Sequence, residues 1–261
     1  VKYIVDTTND LFYNLIDEVI DKRYATYGPA LEKWPDNAMR ALLMAPEVSR
    51  RELHEQLTTI LIAGFETTAA YLSYASYRIA KYPRVQDKIR EEIKEVMGNR
   101  TNVTAEDLDK FSFLSAVLKE SMRWLAIVPA VTRVTTKDTV IKMEDSTNIK
   151  LPEGTNVLIP FYLPNFDEDI WDEPNKFIPE RMDRIPDPGA SVKHGYLPFG
   201  YGTRTCIGNY VAHIEAVNAF VHLLQKFKFE LVPGFRPIPT FGMSTTSSNG
   251  MQIKLVALES N

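Results

Sequence analysis

The sequence predicts a mainly α-helical fold with a small β-sheet. Three observations lead there: a long proline-free stretch with helical spacing from Glu47 to Ala80, a change to short extended runs between residues 131 and 160, and a return of helical spacing after Cys206. The 261 residues are 44% hydrophobic and 25% charged, close to the globular average, which excludes disordered and fibrous classes. That length is enough for one large domain or two small ones.

The N-terminal third reads as helix. Leu11, Leu15, Val19 and Ile20 have helical spacing, and a loop with Gly28, Pro29 and Pro35 follows. A short helix is expected over Ala38 to Met44, stopped by Pro46. In the stretch from Glu47 to Ala80, the positions Leu53, Leu57, Leu61, Gly64, Thr68 and Leu72 define one helix face. At 1.5 Å per residue this is about 50 Å of helix, expected to act as a central beam. Pro83 opens the next helix (Val85, Ile89, Ile93, Val96), closed by Gly98-Asn99. Thr104 and Asp107 have capping-box spacing, and Phe113, Val117, Glu120 and Leu125 belong to a further helix ended by Pro129.

Four strands are predicted next, at residues 131–136, 139–143, 148–151 and 155–160, punctuated by Asp145-Ser146 and Pro152-Glu153-Gly154 turns. From Pro164 to Pro198 the chain is irregular and proline-rich, with Trp171 and Phe177 available to pin it. Helical spacing returns at Ile207, Val211, Ile214, Val217, Phe220 and Leu224, and residues 229–232 and 252–258 read as a closing strand pair.

Charge and cysteine content narrow the function. Thirty Lys and Arg against 34 Asp and Glu give a net charge of −4, without the basic excess of a nucleic-acid binder. A single cysteine excludes an internal disulfide framework and any zinc site with two thiolates. The longest apolar run, Leu57 to Phe65, falls far short of the ~18 residues that span a bilayer.

The loop around that cysteine carries the strongest signal: Pro198-Phe199-Gly200-Tyr201-Gly202-Thr203-Arg204-Thr205-Cys206-Ile207-Gly208. Glycines permit sharp turns, and the start of a helix and Arg204 add positive potential, all of which favour a thiolate. A thiolate so placed can attack a substrate or bind a soft metal, and a buried structural cysteine is the bland reading. Nucleophilic catalysis needs a histidine base, and His54, His194, His213 and His222 lie in no recognisable triad context.

Phe199, Gly202, Arg204, Cys206 and Gly208 fill the FxxGxRxCxG signature, and in this the chain resembles the cytochromes P450. Chance would supply those five residue types on the order of once in ten thousand chains. Glu120 and Arg123 match the family's Glu-x-x-Arg pair; Glu47 and Arg50 share the spacing without the context. The stretch Phe177-Ile178-Pro179-Glu180-Arg181-Met182 resembles the family's Pro-Glu-Arg-Phe segment, with Met182 replacing phenylalanine. Asn165, Asp167 and Trp171 match a neighbouring segment weakly. Ala63-Gly64-Phe65-Glu66-Thr67-Thr68 is similar to the oxygen-activation motif of the long helix.

The resemblance implies a P450 fold in its C-terminal part: long central helix, Glu-x-x-Arg helix, meander, cysteine loop and following helix. It implies one N-terminally incomplete domain over 1–261, mostly helical over 1–130, with a small sheet over 131–160, meander and cysteine loop over 161–205, and proximal helix with C-terminal strands over 206–261. The implied cofactor is haem b, with Cys206 as axial thiolate and metal ligand. Arg204 and Arg133 would meet its propionates, and Phe199, Gly200 and Gly64 would lie against it. Glu66 would relay protons and Thr67 would hydrogen-bond the oxygen being activated; Glu120, Arg123 and Arg181 would form a structural charge triad.

The implied activity is a haem-thiolate monooxygenase, an oxidoreductase that inserts one atom of O2 into an apolar small molecule. The alternatives are a non-catalytic haem-binding remnant, a P450-fold isomerase or peroxygenase that needs no reductase, and more remotely a thiol hydrolase. Similarity to eukaryotic microsomal members implies an NADPH-dependent flavoprotein reductase docking near Lys193, Arg204, Lys226 and Lys228. It also implies the cytosolic face of the endoplasmic reticulum, with membrane association through a missing N-terminal part and no nucleic-acid partner.

Overall fold

The computed structural model describes residues 2–143, 145–184 and 195–258, with side chains from residue 10 onward. The chain divides into two compact units, Val1–Glu66 and Thr67–Asn261.

The first unit contains helices α1 (Lys2–Tyr27) and α2 (Ala38–Met44) and the first half of α3 (Arg50–Lys81). Asn37 caps α2, its side chain accepting from the Arg40 amide at 3.0 Å. The buried cluster is Ile16, Ile20 and Leu53, with Leu42 and Leu57 packed against it. Leu11 and Leu15, which share helical spacing with Val19 and Ile20, are 68% and 44% exposed. α1 is turned so that Ile16 and Ile20 meet Leu53, which sends Leu11 and Leu15 outward. His54 is buried among these residues, its Nε2 2.7 Å from Asp17 Oδ1 and its ring stacked on Tyr13.

The second unit is built from the rest of α3, α4 (Pro83–Met97), α5 (Ala105–Leu108), α6 (Ser112–Trp124), α7 (Asn209–Lys226) and eight short strands. Its core joins one face of each long helix through Ile79, Ile89, Leu114, Val117, Phe220 and Leu224, all at most 1% exposed. Two polar side chains hold the helices in register. The Glu92 carboxylate of α4 accepts the Phe113 and Leu114 amides at 2.6 and 2.9 Å, capping α6 from a neighbouring helix. Gln86, buried in the same helix, bonds both the amide and the carbonyl of Phe229.

Helix α6 ends at Trp124, short of the expected stop at Pro129. Leu125 turns extended, and the Ala126 and Ile127 carbonyls are taken by Thr245, through its hydroxyl at 2.8 Å and its amide at 2.7 Å.

The strands form four antiparallel pairs. β1 (Ala130–Val134) pairs with β4 (Asn156–Pro160), enclosing the hairpin β2 (Thr139–Lys142) with β3 (Asn148–Leu151). β5 (Phe227–Leu231) pairs with β8 (Ile253–Ala257), and β6 (Pro239–Phe241) with β7 (Thr245–Ser247). The last pair was not expected: its strands have three residues each, too few to show a period.

Thr104 and Asp107 behave as their spacing predicts, Asp107 Oδ2 accepting the Thr104 amide at 3.1 Å. The Arg100 guanidinium, the Thr104 amide and Lys110 hold the Asp107 carboxyl well below the usual carboxylate range. A depressed native pKa adds stability above the unfolded value of about 3.9 and loses it as pH falls below that value. Asp107→Asn is therefore expected to flatten the loss of stability between about pH 5 and pH 2, read from urea midpoints at each pH.

Candidate functional site

The cysteine loop is shaped by backbone geometry. Gly195, Gly200 and Gly202 have φ of +63°, +74° and +77°, the left-handed region open to glycine. At Gly195 space adds to conformation, since a Cβ would lie 2.8 Å from Pro164 Cβ. The Gly200 amide donates to Leu197 O at 3.1 Å, a 3-10 turn covers Gly202–Arg204, and the Cys206 amide closes the loop onto Phe199 O at 2.9 Å. Gly208 is the N-cap of α7, with the Ala212 amide bonded to its carbonyl, so Cys206 stands at the positive end of that helix.

Within this loop Cys206 is exposed and Ile207 is 91% exposed, while Phe199 is half-buried against the main core. Arg204 is exposed and makes no ion pair or side-chain hydrogen bond among the described residues. Arg133, on β1, is also exposed and donates Nη1 to Thr132 O.

A buried charge pair lies on α6, with a third charge beside it. Glu120 and Arg123 are both 0% exposed and pair in a fork, Nε to Oε2 at 2.8 Å and Nη2 to Oε1 at 2.9 Å. Arg123 Nη1 donates to Asn165 O at 2.6 Å and Nη2 to Lys176 O at 3.2 Å. Glu120 Oε1 accepts the Ile178 amide at 3.0 Å, and Arg181 Nε approaches the same oxygen at 3.3 Å, an ion-pair distance without hydrogen-bond alignment. Arg181 also donates to the carbonyls of Asp172, Glu173 and Lys176. The predicted triad is thus assembled, and it grips the irregular segment mainly by backbone carbonyls.

Trp171 and Phe177 pin that segment as expected. Trp171 is buried, donates Nε1 to Pro164 O and lies under the Arg123 guanidinium at 5.2 Å; Phe177 stacks on Tyr82 at 5.0 Å. Two contributors escaped sequence reasoning. Arg78 of α3 lies 4.0 Å over the Trp124 ring, its pKa pulled down by burial. Tyr196 donates its hydroxyl to Lys119 O, with burial pushing its own pKa up.

The sequence matches the profile of the family described as Cytochrome P450 over residues 4–255. This chain belongs to the cytochrome P450 family. It is 31% identical to Cytochrome P450 27C1 of Danio rerio over 82% of this chain and 39% of that protein. It is 34% identical to Putative cytochrome P450 CYP13A5 of Caenorhabditis elegans, over 80% of this chain and 40% of that one. Against Cytochrome P450 3A16 of Mus musculus the values are 35%, 70% and 35%. The chain spans about two fifths or less of the length of these relatives.

Cytochromes P450 are haem-dependent monooxygenases, and the donor set here is consistent with that cofactor. Among the described residues no group of three or more His, Cys, Asp or Glu could hold a metal ion. A single exposed thiol suits a metal whose other ligands come from a macrocycle, and two exposed arginines suit carboxylates.

On α3, Gly64 is exposed, and nothing among the described residues lies within 4 Å of where its Cβ would be, so close helix packing does not explain it. Ile60, Leu61, Ile62 and Phe65 are exposed as well, Phe65 at 75%, although Leu61 and Gly64 share a helix face with the buried Leu53. Glu66 and Thr67 are half-buried.

Arg181→Met leaves Glu120 paired with Arg123 but removes the bonds to the Asp172, Glu173 and Lys176 carbonyls, and is expected to destabilise the second unit by about 1–3 kcal/mol. Chemical denaturation checks this: an unchanged midpoint would show that those bonds add no net stability.

Proposed function

We propose that this chain is part of a haem-thiolate monooxygenase, with Cys206 as the axial thiolate. The observation that carries the reading is the exposed sulfur of Cys206 at the N-terminal end of α7, in a glycine loop closed by the Cys206–Phe199 backbone bond. The net reaction is R–H + O2 + 2 e⁻ + 2 H⁺ → R–OH + H2O, with R–H an apolar organic molecule.

When bound, haem b supplies the redox centre at which dioxygen is reduced and cleaved. Cys206 Sγ, at the N-terminal end of α7, would be the ligand that donates electron density to that centre. Arg204 and Arg133 would pair with the haem propionate carboxylates, and Phe199 and Gly200 would lie against the haem. On α3, Gly64 leaves the backbone open to close approach. The two protons would come by way of Glu66 and Thr67, a carboxyl and a hydroxyl adjacent in the sequence and able to relay them in turn.

Apolar walls are available at Ile60 to Phe65, at Val128 to Val131, and at the β6–β7 turn, where Phe241 and Met243 are exposed. Electrons enter from an NADPH-dependent flavoprotein reductase. Exposed Arg204, Lys226 and Lys228 are its candidate contacts; Lys193 lies outside the described residues. No described helix is long and apolar enough to cross a membrane. Placement on the cytosolic face of the endoplasmic reticulum rests on the resemblance to microsomal members.

The reading is tested by the carbon monoxide difference spectrum of the reduced, haem-loaded protein. A red-shifted Soret band typical of thiolate ligation is expected, and Cys206→Ala should abolish it. A band that survives in the variant would remove Cys206 as ligand, and a nitrogen-ligated or haem-free spectrum that persists in an N-terminally extended chain would favour a non-catalytic remnant. In a haem-loaded, catalytically active N-terminally extended protein, Thr67→Ala should retain the band yet divert reducing equivalents to peroxide. Oxygen uptake measured against product formation checks this, and wild-type coupling would take Thr67 out of the proton path.

A further inference from the structure

Apart from the cysteine loop, the second unit contains a cavity of about 320 Å³. It exists because α6 presents Ser112, Ser115 and Ala116 on one face, where larger side chains would fill the space. Its floor is apolar and well buried: Leu108, Ala116 and Met182 are 7%, 3% and 2% exposed. Its walls carry charge of both signs, with Lys119 from α6, Asp109 from the end of α5 and Asp183 from the 3-10 turn at Pro179–Arg184. Among the described residues, the side chains of these three make no ion pair and no hydrogen bond, with one another or with anything else.

His213 of α7 completes the lining, its Nε2 3.5 Å from Ser115 Oγ. Burial and the nearby Lys119 lower its pKa, so the ring is a neutral hydrogen-bonding group at pH 7. A lone cation bound there would meet one unpaired charge of its own sign, Lys119, and a lone anion two, Asp109 and Asp183.

We propose that this cavity binds a small zwitterion whose ammonium and carboxylate are joined by an aliphatic chain. The carboxylate pairs with Lys119 and accepts from the His213–Ser115 pair, the ammonium pairs with Asp109 and Asp183, and the chain lies on the Leu108, Ala116 and Met182 floor. The volume is at the lower end of the range for small-molecule sites. This inference is independent of haem and of the monooxygenase reading.

The test is a titration of the chain with 6-aminohexanoate, followed by the ring resonances of His213, assigned with His213→Gln. A saturable shift is expected, with hexylamine and hexanoate each binding at least about tenfold more weakly, because each lacks one charge. Lys119→Met and Asp183→Asn should each weaken the zwitterion about tenfold while leaving amide spectra elsewhere unchanged, which separates lost binding from lost folding. No saturable shift up to tens of millimolar, equal binding of either single-charge analogue, or full affinity in both variants would overturn the proposal.

Discussion

The buried pairing of Glu120 with Arg123 is the constraint on which the second unit depends. Two charges at 0% exposure are strongly disfavoured unless every donor and acceptor around them is used. α6 supplies the pair three residues apart, but the pair alone leaves a guanidinium edge and carboxylate lone pairs unsatisfied. The carbonyls of Asn165 and Lys176 and the Ile178 amide fill those places, with Arg181 at ion-pair distance, so residues 165–181 of an otherwise irregular segment are tied to α6. Further bonds act on the same segment, from Tyr196 to the Lys119 carbonyl and from Trp171 to that of Pro164.

This explains which parts of the site were legible in the sequence. Glu120, Arg123 and Arg181 are distinctive residue types at distinctive spacing, and they assemble as their motifs imply. Their remaining partners are mostly backbone carbonyls at Asn165, Asp172, Glu173 and Lys176, and a carbonyl has no sequence signature. Thr245 shows the same limit: just past the end of α6 its hydroxyl and amide bond the Ala126 and Ile127 carbonyls, from a segment far along the chain. Local rules placed the end of the helix at Pro129, whereas the chain turns extended at Leu125.

Fold elements divide in a similar way. Helix α2 and strand β3 were foreseen with their boundaries, because Pro46 in one case and short turns in the other punctuate them. Buried faces were less legible. Leu11 and Leu15 have the same periodicity as Ile16 and Ile20, and only contact with Leu53 decides which pair turns inward. Period gives a helix its stripe, but the neighbour selects the angle at which the stripe is buried.

That distinction bears on α3. Its C-terminal half buries Tyr71, Ala75 and Ile79, and its N-terminal half buries Leu53, yet Ile60, Leu61, Ile62 and Phe65 between them stay exposed. Phe65, 75% exposed, forgoes most of the about 1.5–3 kcal/mol that full burial of such a side chain supplies, and the other three forgo a part of it. A run of four on one helix is a contiguous surface rather than the isolated exposure that folded proteins tolerate everywhere. The same turns contain Gly64, with open space where a side chain would be, followed by an acid and a hydroxyl at Glu66 and Thr67. Core packing does not account for that combination, since the core uses none of these exposed positions.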